Sequence, residues 1–255
     1  MRGTLLKVTI VAALVGSLAC ASAYALKIQI GATEVNATAT VLPRELPEKH
    51  NAPVTVESKT RISTNDGSTP SSLRKLTFIF DKHGAIDTVG LPVCTLAKLA
   101  DTTPAQAKAR CGGAIVGEGL GRATVNLPGQ PPLAISSPIT LFNAPPEGGK
   151  PALIAHAYET VPVAKTLLVP FSIERIKHGR YGYRVEVEMP EIAGGFGAAT
   201  LAKAKIGRTW EQGGKTHSYA SARCEGSRLQ VHGSIQLADG SFYQGTLAPS
   251  CKVSD

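Results

Sequence analysis

The residues of this chain best suited to chemistry are its cysteines, and two of them frame one short stretch. LPVCTLAKLADTTPAQAKARCGG, Leu91 to Gly113, holds Cys94 and Cys111. Such a pair can ligate a metal, supply a nucleophile or form a staple. Metal binding calls for closely spaced ligands, and the chain has no Cys-x-x-Cys, His-x-His or His-x-x-x-His. A nucleophile must be a thiolate, which a paired cysteine cannot offer. Beyond the first 25 residues the cysteines are Cys94, Cys111, Cys224 and Cys251, an even set that in an exported chain argues for two disulfides. Four cysteines allow three connectivities, and sequence alone leaves them open. Local geometry favours Cys94–Cys111 and Cys224–Cys251. Thr103 can cap a helix whose first residue is Pro104. AQAKAR supplies good helix formers, and Gly112-Gly113 ends the helix. About two turns then lead back toward a strand end bearing Cys94. The second bridge ties down the C-terminal segment. Each closure is worth about 3 kcal/mol in the chain-entropy model.

Other reactive constellations are missing from the sequence. There is no GxSxG elbow, HExxH helix, phosphate-binding Walker loop or EF-hand loop. Asp81 and Asp87 in DKHGAID loosely suggest a calcium turn, but the ligands are too few and a hairpin loop is the plainer reading. His83, His156, His178, His217 and His232 are scattered, with His50 in the N-terminal arm. His156 in LIAHAY reads as a satisfied, partly buried histidine. Metal, cofactor and catalytic residues are therefore assigned to no position.

The binding candidate is ERIKHGRYGYR, Glu174 to Arg184. Arg175, Lys177, His178, Arg180, Tyr181 and Arg184 cluster around one hairpin tip, with Tyr183 beside them. Cations hold phosphate or carboxylate, and tyrosines stack on sugar rings or bases. A solvated polar hairpin is the plainer alternative. Within the tip the charges have no acidic neighbour in sequence before Glu186.

The compartment is read from the N-terminus. Arg2 and Lys7 precede an apolar run from Val8 to Ala19, followed by small residues at Ala21-Ser22-Ala23 and Ala23-Tyr24-Ala25. This is the pattern of a cleaved secretory signal over residues 1–25, with cleavage expected between Ala21 and Leu26. Lipid anchoring at Cys20 is the alternative, although Ser17 stands where a lipobox has leucine. Past the signal, no apolar stretch approaches the ~20 residues of a membrane helix, so the mature chain is expected to have no transmembrane segment. Asn36-Ala37-Thr38 is a glycosylation acceptor that only a eukaryotic secretory host would use. Losing the signal removes Arg2 and Lys7 and no acidic residue, which lowers the net charge from +8 to +6. A moderately basic exported protein is attracted to anionic wall polymer, acidic polysaccharide or nucleic acid.

The elements that must position these residues are short strands. VTVESKTRIS and LRKLTFIF flank a turn at Asn65-Asp66-Gly67-Ser68. GAIVGEGLGRATVNL puts Gly117, Gly119 and Gly121 on one face, which implies a bend or the close approach of another backbone. Its GxGxG spacing is not a dinucleotide loop. In YRVEVEM, Tyr183, Val185, Val187 and Met189 alternate with Arg184, Glu186 and Glu188, the signature of a half-buried antiparallel strand. Leu229, Val231, Ile235 and Leu237 share a face in LQVHGSIQL, and turns fall at Gln212-Gly213-Gly214-Lys215 and Asp239-Gly240. The pattern predicts an all-β, antiparallel β-sandwich or barrel-like fold with one short helix, disulfide-stapled, as a single β-rich domain over residues 26–255 with an N-terminal arm or strand at 26–52.

The order of landmarks also resembles a known set. DGS near residue 66, GAIDTVGLPVC, a helix ending ARC, AIVGEG, ITLFNA, LIAHAYETVP, PEIAGGFGAAT, a second ARC, ADGS and a final cysteine run through the chain from about residue 54. This is similar to a much-duplicated family of uncharacterised exported actinobacterial proteins. The resemblance implies an exported β-rich protein with the same four cysteines, and it brings no catalytic residue, cofactor or partner to carry over. The reading is a secreted or envelope-associated non-catalytic protein that binds an anionic cell-wall polymer or polysaccharide. A secreted hydrolase with a site assembled from scattered residues is the alternative.

Overall fold

The computed structural model describes residues 25–254, apart from the side chains of Lys177 and His178; the expected leader with Cys20 lies outside the described residues. The N-terminal segment is a hairpin of β1 (Ala25–Ile30) and β2 (Thr33–Leu42), turned at Gly31 with φ +59°. After β3 (Glu45–Leu46) and β4 (Ala52–Pro53) come β5 (Thr55–Thr64), β6 (Leu73–Asp81) and β7 (Gly84–Ile86). Two helices follow, α1 (Leu96–Leu99) and α2 (Pro104–Cys111). Then come β8 (Ile115–Val125), β9 (Leu133–Glu147), β10 (Lys150–Glu159), β11 (Lys165–His178) and β12 (Tyr181–Glu188). The chain ends with β13 (Gly197–Ile206), β14 (Thr209–Gln212), β15 (Lys215–Ser218), β16 (Ala220–Ala222), β17 (Val231–Leu237), β18 (Phe242–Leu247) and β19 (Lys252–Val253).

Twelve strands form one antiparallel sheet in the order β1-β2-β5-β13-β8-β9-β10-β11-β12-β6-β17-β18. Strand β11 carries the sheet from one wall to the other. Its first half, to Ser172, pairs with β10, and from Ile173 onward it pairs with β12. The two edge strands then come together, with Leu26 of β1 occupying the place where a side chain on Gly245 of β18 would lie. The sheet is a nearly closed, flattened barrel. Val116, Leu141, Leu153 and Val169 from one wall meet Ile173, Tyr183, Val185 and Val187 from the other. At the far end Val35 and Ile62 pack on Ile235, Leu237 and Tyr243. The alternation expected for β12 is seen: Tyr183, Val185 and Val187 are buried, while Glu186 and Glu188 are exposed.

Both disulfides join the partners that local geometry favoured, with Cα atoms 5.7 Å apart in Cys94–Cys111 and 5.8 Å apart in Cys224–Cys251. Helix α2 begins as its sequence demands. Thr103 Oγ1 accepts from the Gln106 N–H while Gln106 Oε1 accepts from the Thr103 N–H, with Pro104 as the first helical residue. The helix lies on the outer face of the sheet, where Leu99, Ala107 and the Cys94–Cys111 bridge pack on Phe142, Ala144, Ala152 and Ile154. His156 is fully buried beneath it, and its Nε2 donates toward Thr102 O at 3.0 Å. The second bridge lies in another small core with Val41, Leu46, Val54, Ala222 and Leu229. There β19 pairs in parallel with β3, which docks the C-terminal segment.

The glycine face of β8 is a close backbone approach. A Cβ on Gly119 would sit 2.0 Å from Lys203 O, and one on Gly117 2.6 Å from Lys205 O, both in β13. On Gly121 the nearest atom would be the movable Ile139 Cδ1, at 3.3 Å. Gly119→Ala should therefore cost about 3 kcal/mol in denaturant unfolding, and Gly121→Ala less than about 1 kcal/mol. Equal costs would contradict the packing. A second prediction concerns acid. Burial holds the His156 imidazole below its ordinary 6.5, so the unfolded chain takes up the proton first. Its share of stability is intact above about pH 6.5 and is lost as pH falls below that value. Unfolding free energies measured across that range should slope downward toward acid, and His156→Gln should flatten the slope.

Candidate functional site

The β11–β12 hairpin turns at Gly179, φ +59°, and its charges do not act on one face. Arg175 is the ladder partner of Tyr183 and shares the core-side face with it. Its Nη2 donates to Tyr183 Oη at 3.1 Å, and its guanidinium lies 5.6 Å from the centre of the same ring. Arg184 lies on the opposite face, across from Glu174 and Ile79, and is half-buried. Tyr181 is half-buried opposite Asp81. The side chains of Lys177 and His178 lie outside the described residues.

Arg180 corrects the expectation of a tip without acidic neighbours. Its Nε donates to Asp81 Oδ2 at 3.1 Å, and its Nη2 donates to the Arg228 carbonyl at 2.9 Å. Asp81 is buried, 4% exposed. The same carboxylate accepts from the Gln230 N–H at 3.0 Å and from the His83 N–H at 3.1 Å. The buried His83 ring lies between two carboxylates. Nδ1 is 2.9 Å from Asp81 Oδ1 and Nε2 is 2.9 Å from Glu225 Oε2, although neither contact is aligned as a hydrogen bond. This cluster joins the hairpin to β6 and to the segment before β17. It is a structural anchor rather than an open site.

Asp81 and Asp87 also do not converge, so the calcium-turn reading has no support in the geometry. Asp87 instead meets His217 Nδ1 at 2.6 Å. Burial pushes the Asp87 carboxyl up, but the Val89 N–H and His217 outweigh it and hold it below its usual range. The His217 ring stacks on Trp210, centroids 5.6 Å apart, and Trp210 Nε1 donates to the Val89 carbonyl at 3.0 Å. These contacts dock the β14–β15 hairpin on the loop after β7. His232 Nδ1 is 3.0 Å from Thr246 Oγ1, on the outer face of β17. Among the described residues no three His, Cys, Asp or Glu side chains are grouped to hold a metal ion.

What the hairpin does form is a groove of about 280 Å³, lined by Asn51, Lys82, Gly84, Ala85, Arg175, Ile176, Gly182 and Tyr183. The hairpin passes close over the β6–β7 turn, since a Cβ on Gly182 would sit 2.9 Å from Lys82 Cα. Lys82 is exposed, and among the described residues its ammonium has no carboxylate partner. Among the described residues Arg175 has no hydrogen-bond, ion-pair or ring partner other than Tyr183. Asn51 Oδ1 is buried at the groove and has no hydrogen bond among the described residues. Lys82 and Asn51 were not marked by sequence. Their one signal is that Lys82 sits in the DKHG turn, and only the fold brings them to Arg175.

Arg180 and Lys82 thus differ in kind. Arg180→Ala strips a charge-assisted hydrogen bond from a buried carboxylate and should cost about 1.5–3 kcal/mol. Lys82→Ala should stay within about 0.5 kcal/mol of wild type. Denaturant titrations of the two variants check this, and equal stabilities would mean that the Asp81 cluster does not anchor the hairpin. No protein-family model, curated protein or solved structure matches the chain.

Proposed function

We propose that this is a secreted or envelope-associated, non-catalytic β-barrel-like protein that binds an anionic cell-surface polymer through the groove beside the β11–β12 hairpin. The observation that carries the reading is the pair of cations there. Lys82, Arg175 and Tyr183 line one concave surface, and neither ammonium nor guanidinium is neutralised by a carboxylate among the described residues. An aromatic hydroxyl beside two cations suits a sugar or polyol chain bearing phosphate or carboxylate. Arg180 supports this surface from behind, through Asp81, and does not itself meet the ligand.

Two features support the setting. Two disulfides suit an oxidising compartment. Among the described residues no helix is long and apolar enough to cross a membrane. The outer face of the sheet carries Lys59, Arg61, Glu118, Lys203 and Lys205, the opposite of the apolar band with which a barrel meets lipid.

The test is retention of the purified protein on isolated cell wall or phosphocellulose while salt is raised. Exposed ion contacts are screened within about 10 Å at 0.1 M salt, so elution should come at moderate ionic strength. The double variant Lys82→Ala, Arg175→Ala should elute at clearly lower salt than wild type. Co-elution would remove the hairpin groove from the reading.

A further inference from the structure

We propose a second anion site, separate from the hairpin groove, on the outer face of β2, β5, β13 and β8, shaped for a phosphodiester polymer. A groove of about 390 Å³ runs across this face. Its rungs follow from the ladder register. In one, Lys205 stands between Glu57 and Glu118. That rung is internally neutralised: Lys205 Nζ is 3.1 Å from Glu57, and Glu118 is also held by Lys108 from α2.

The next rung is different. Lys203 stands directly opposite Lys59, with Thr38 on one side and Leu120 on the other. Like charges directly opposite each other across antiparallel strands destabilise a sheet. Among the described residues neither ammonium has an ion-pair or hydrogen-bond partner. The rung after that places Arg61 and Arg122 on either side of Leu201, again with no partner for either guanidinium among the described residues. Four uncompensated cations therefore occupy two successive rungs, about 7 Å apart along the strands.

A bound anion removes the repulsion that the free protein carries. Lysine is a compact point charge, suited to a tetrahedral oxyanion more than to the planar two-point grip that arginine gives a carboxylate. Lys59, Lys203 and the Thr38 hydroxyl approach one rung from three neighbouring positions, which suits a phosphate. The arginines of the next rung can meet the following phosphate of the same chain.

The experiment is calorimetric titration of a short poly(glycerol phosphate), a phosphodiester chain, into protein carrying Lys82→Ala and Arg175→Ala, so that the hairpin groove does not contribute. Poly(glycerol phosphate) should bind this background. Adding Lys59→Ala and Lys203→Ala should weaken binding at least tenfold and lower the slope of log K against log salt by between one and two. The melting temperature should stay the same or rise, because the change removes a like-charge pair. As a second variant, Lys59→Glu creates an opposite-charge pair with Lys203, keeps the fold and should also lose binding. Unchanged poly(glycerol phosphate) binding in either variant overturns the proposal. Equal affinity for polygalacturonate overturns its phosphodiester part. Failure of the hairpin reading shows elsewhere: the Lys82→Ala, Arg175→Ala background would then match wild type on the wall matrix.

Discussion

The carboxylate of Asp81 is the point on which the surface architecture turns. A buried charge is tolerated only where it is paired and hydrogen-bonded. Asp81 meets that condition by drawing donors from three directions: the Arg180 guanidinium, the Gln230 N–H and the His83 N–H. Those donors belong to the β11–β12 turn, the approach to β17 and the turn after β6. One side chain thereby sets the angle at which the hairpin leaves the sheet. It also ties Arg180 to structure and leaves Lys82 and Arg175 as the cations that face the groove.

The same logic separates the charges of the outer sheet face. Where a carboxylate lies in register with a lysine, as at Lys205 and at Lys75 with Glu186 and Glu188, the pairing is complete within the molecule. Where lysine faces lysine, the sheet tolerates a repulsion that no ion pair among the described residues relieves. The formal net charge of +8 says only that anions are attracted. The register says where the attraction is concentrated.

Local rules were legible in the sequence and distant ones were not. The Thr103-Pro104 cap and the β12 alternation each depend on residues within a few positions of one another, and each is seen as read; the β8 glycines were read as a bend or a close backbone approach, and the partner in that approach, β13, is set by the fold. The disulfides were legible because their partners lie 17 and 27 residues apart, within reach of local geometry. The arginine–aspartate anchor joins residues 99 apart, and nothing near Arg180 in the chain marks Asp81 as its partner. The hairpin was correctly located but read as one cluster. Ladder pairing instead places Arg175 with Tyr183 and turns Arg184 to the other face. The Lys59–Lys203 pair is invisible for the same reason, since it exists only through the neighbouring of β5 and β13.

The staple between Cys94 and Cys111 bears on that last surface as well. It holds α2 against Phe142 and Ile154 on the outer face of the sheet, and Arg208 reinforces the end of the helix by donating to the Gly113 and Ile115 carbonyls at 2.6 and 2.9 Å. From this fixed helix Lys108 reaches Glu118 at the edge of the groove. If the helix were free to leave, Glu118 would be released, one rung from Lys203 and two strands from Lys59, and its carboxylate could partly neutralise them. Holding α2 in place keeps that acid occupied, so the bridge that first raised the possibility of cysteine chemistry acts through charge placement. It stabilises the fold and, through Lys108, preserves the uncompensated rung beside it.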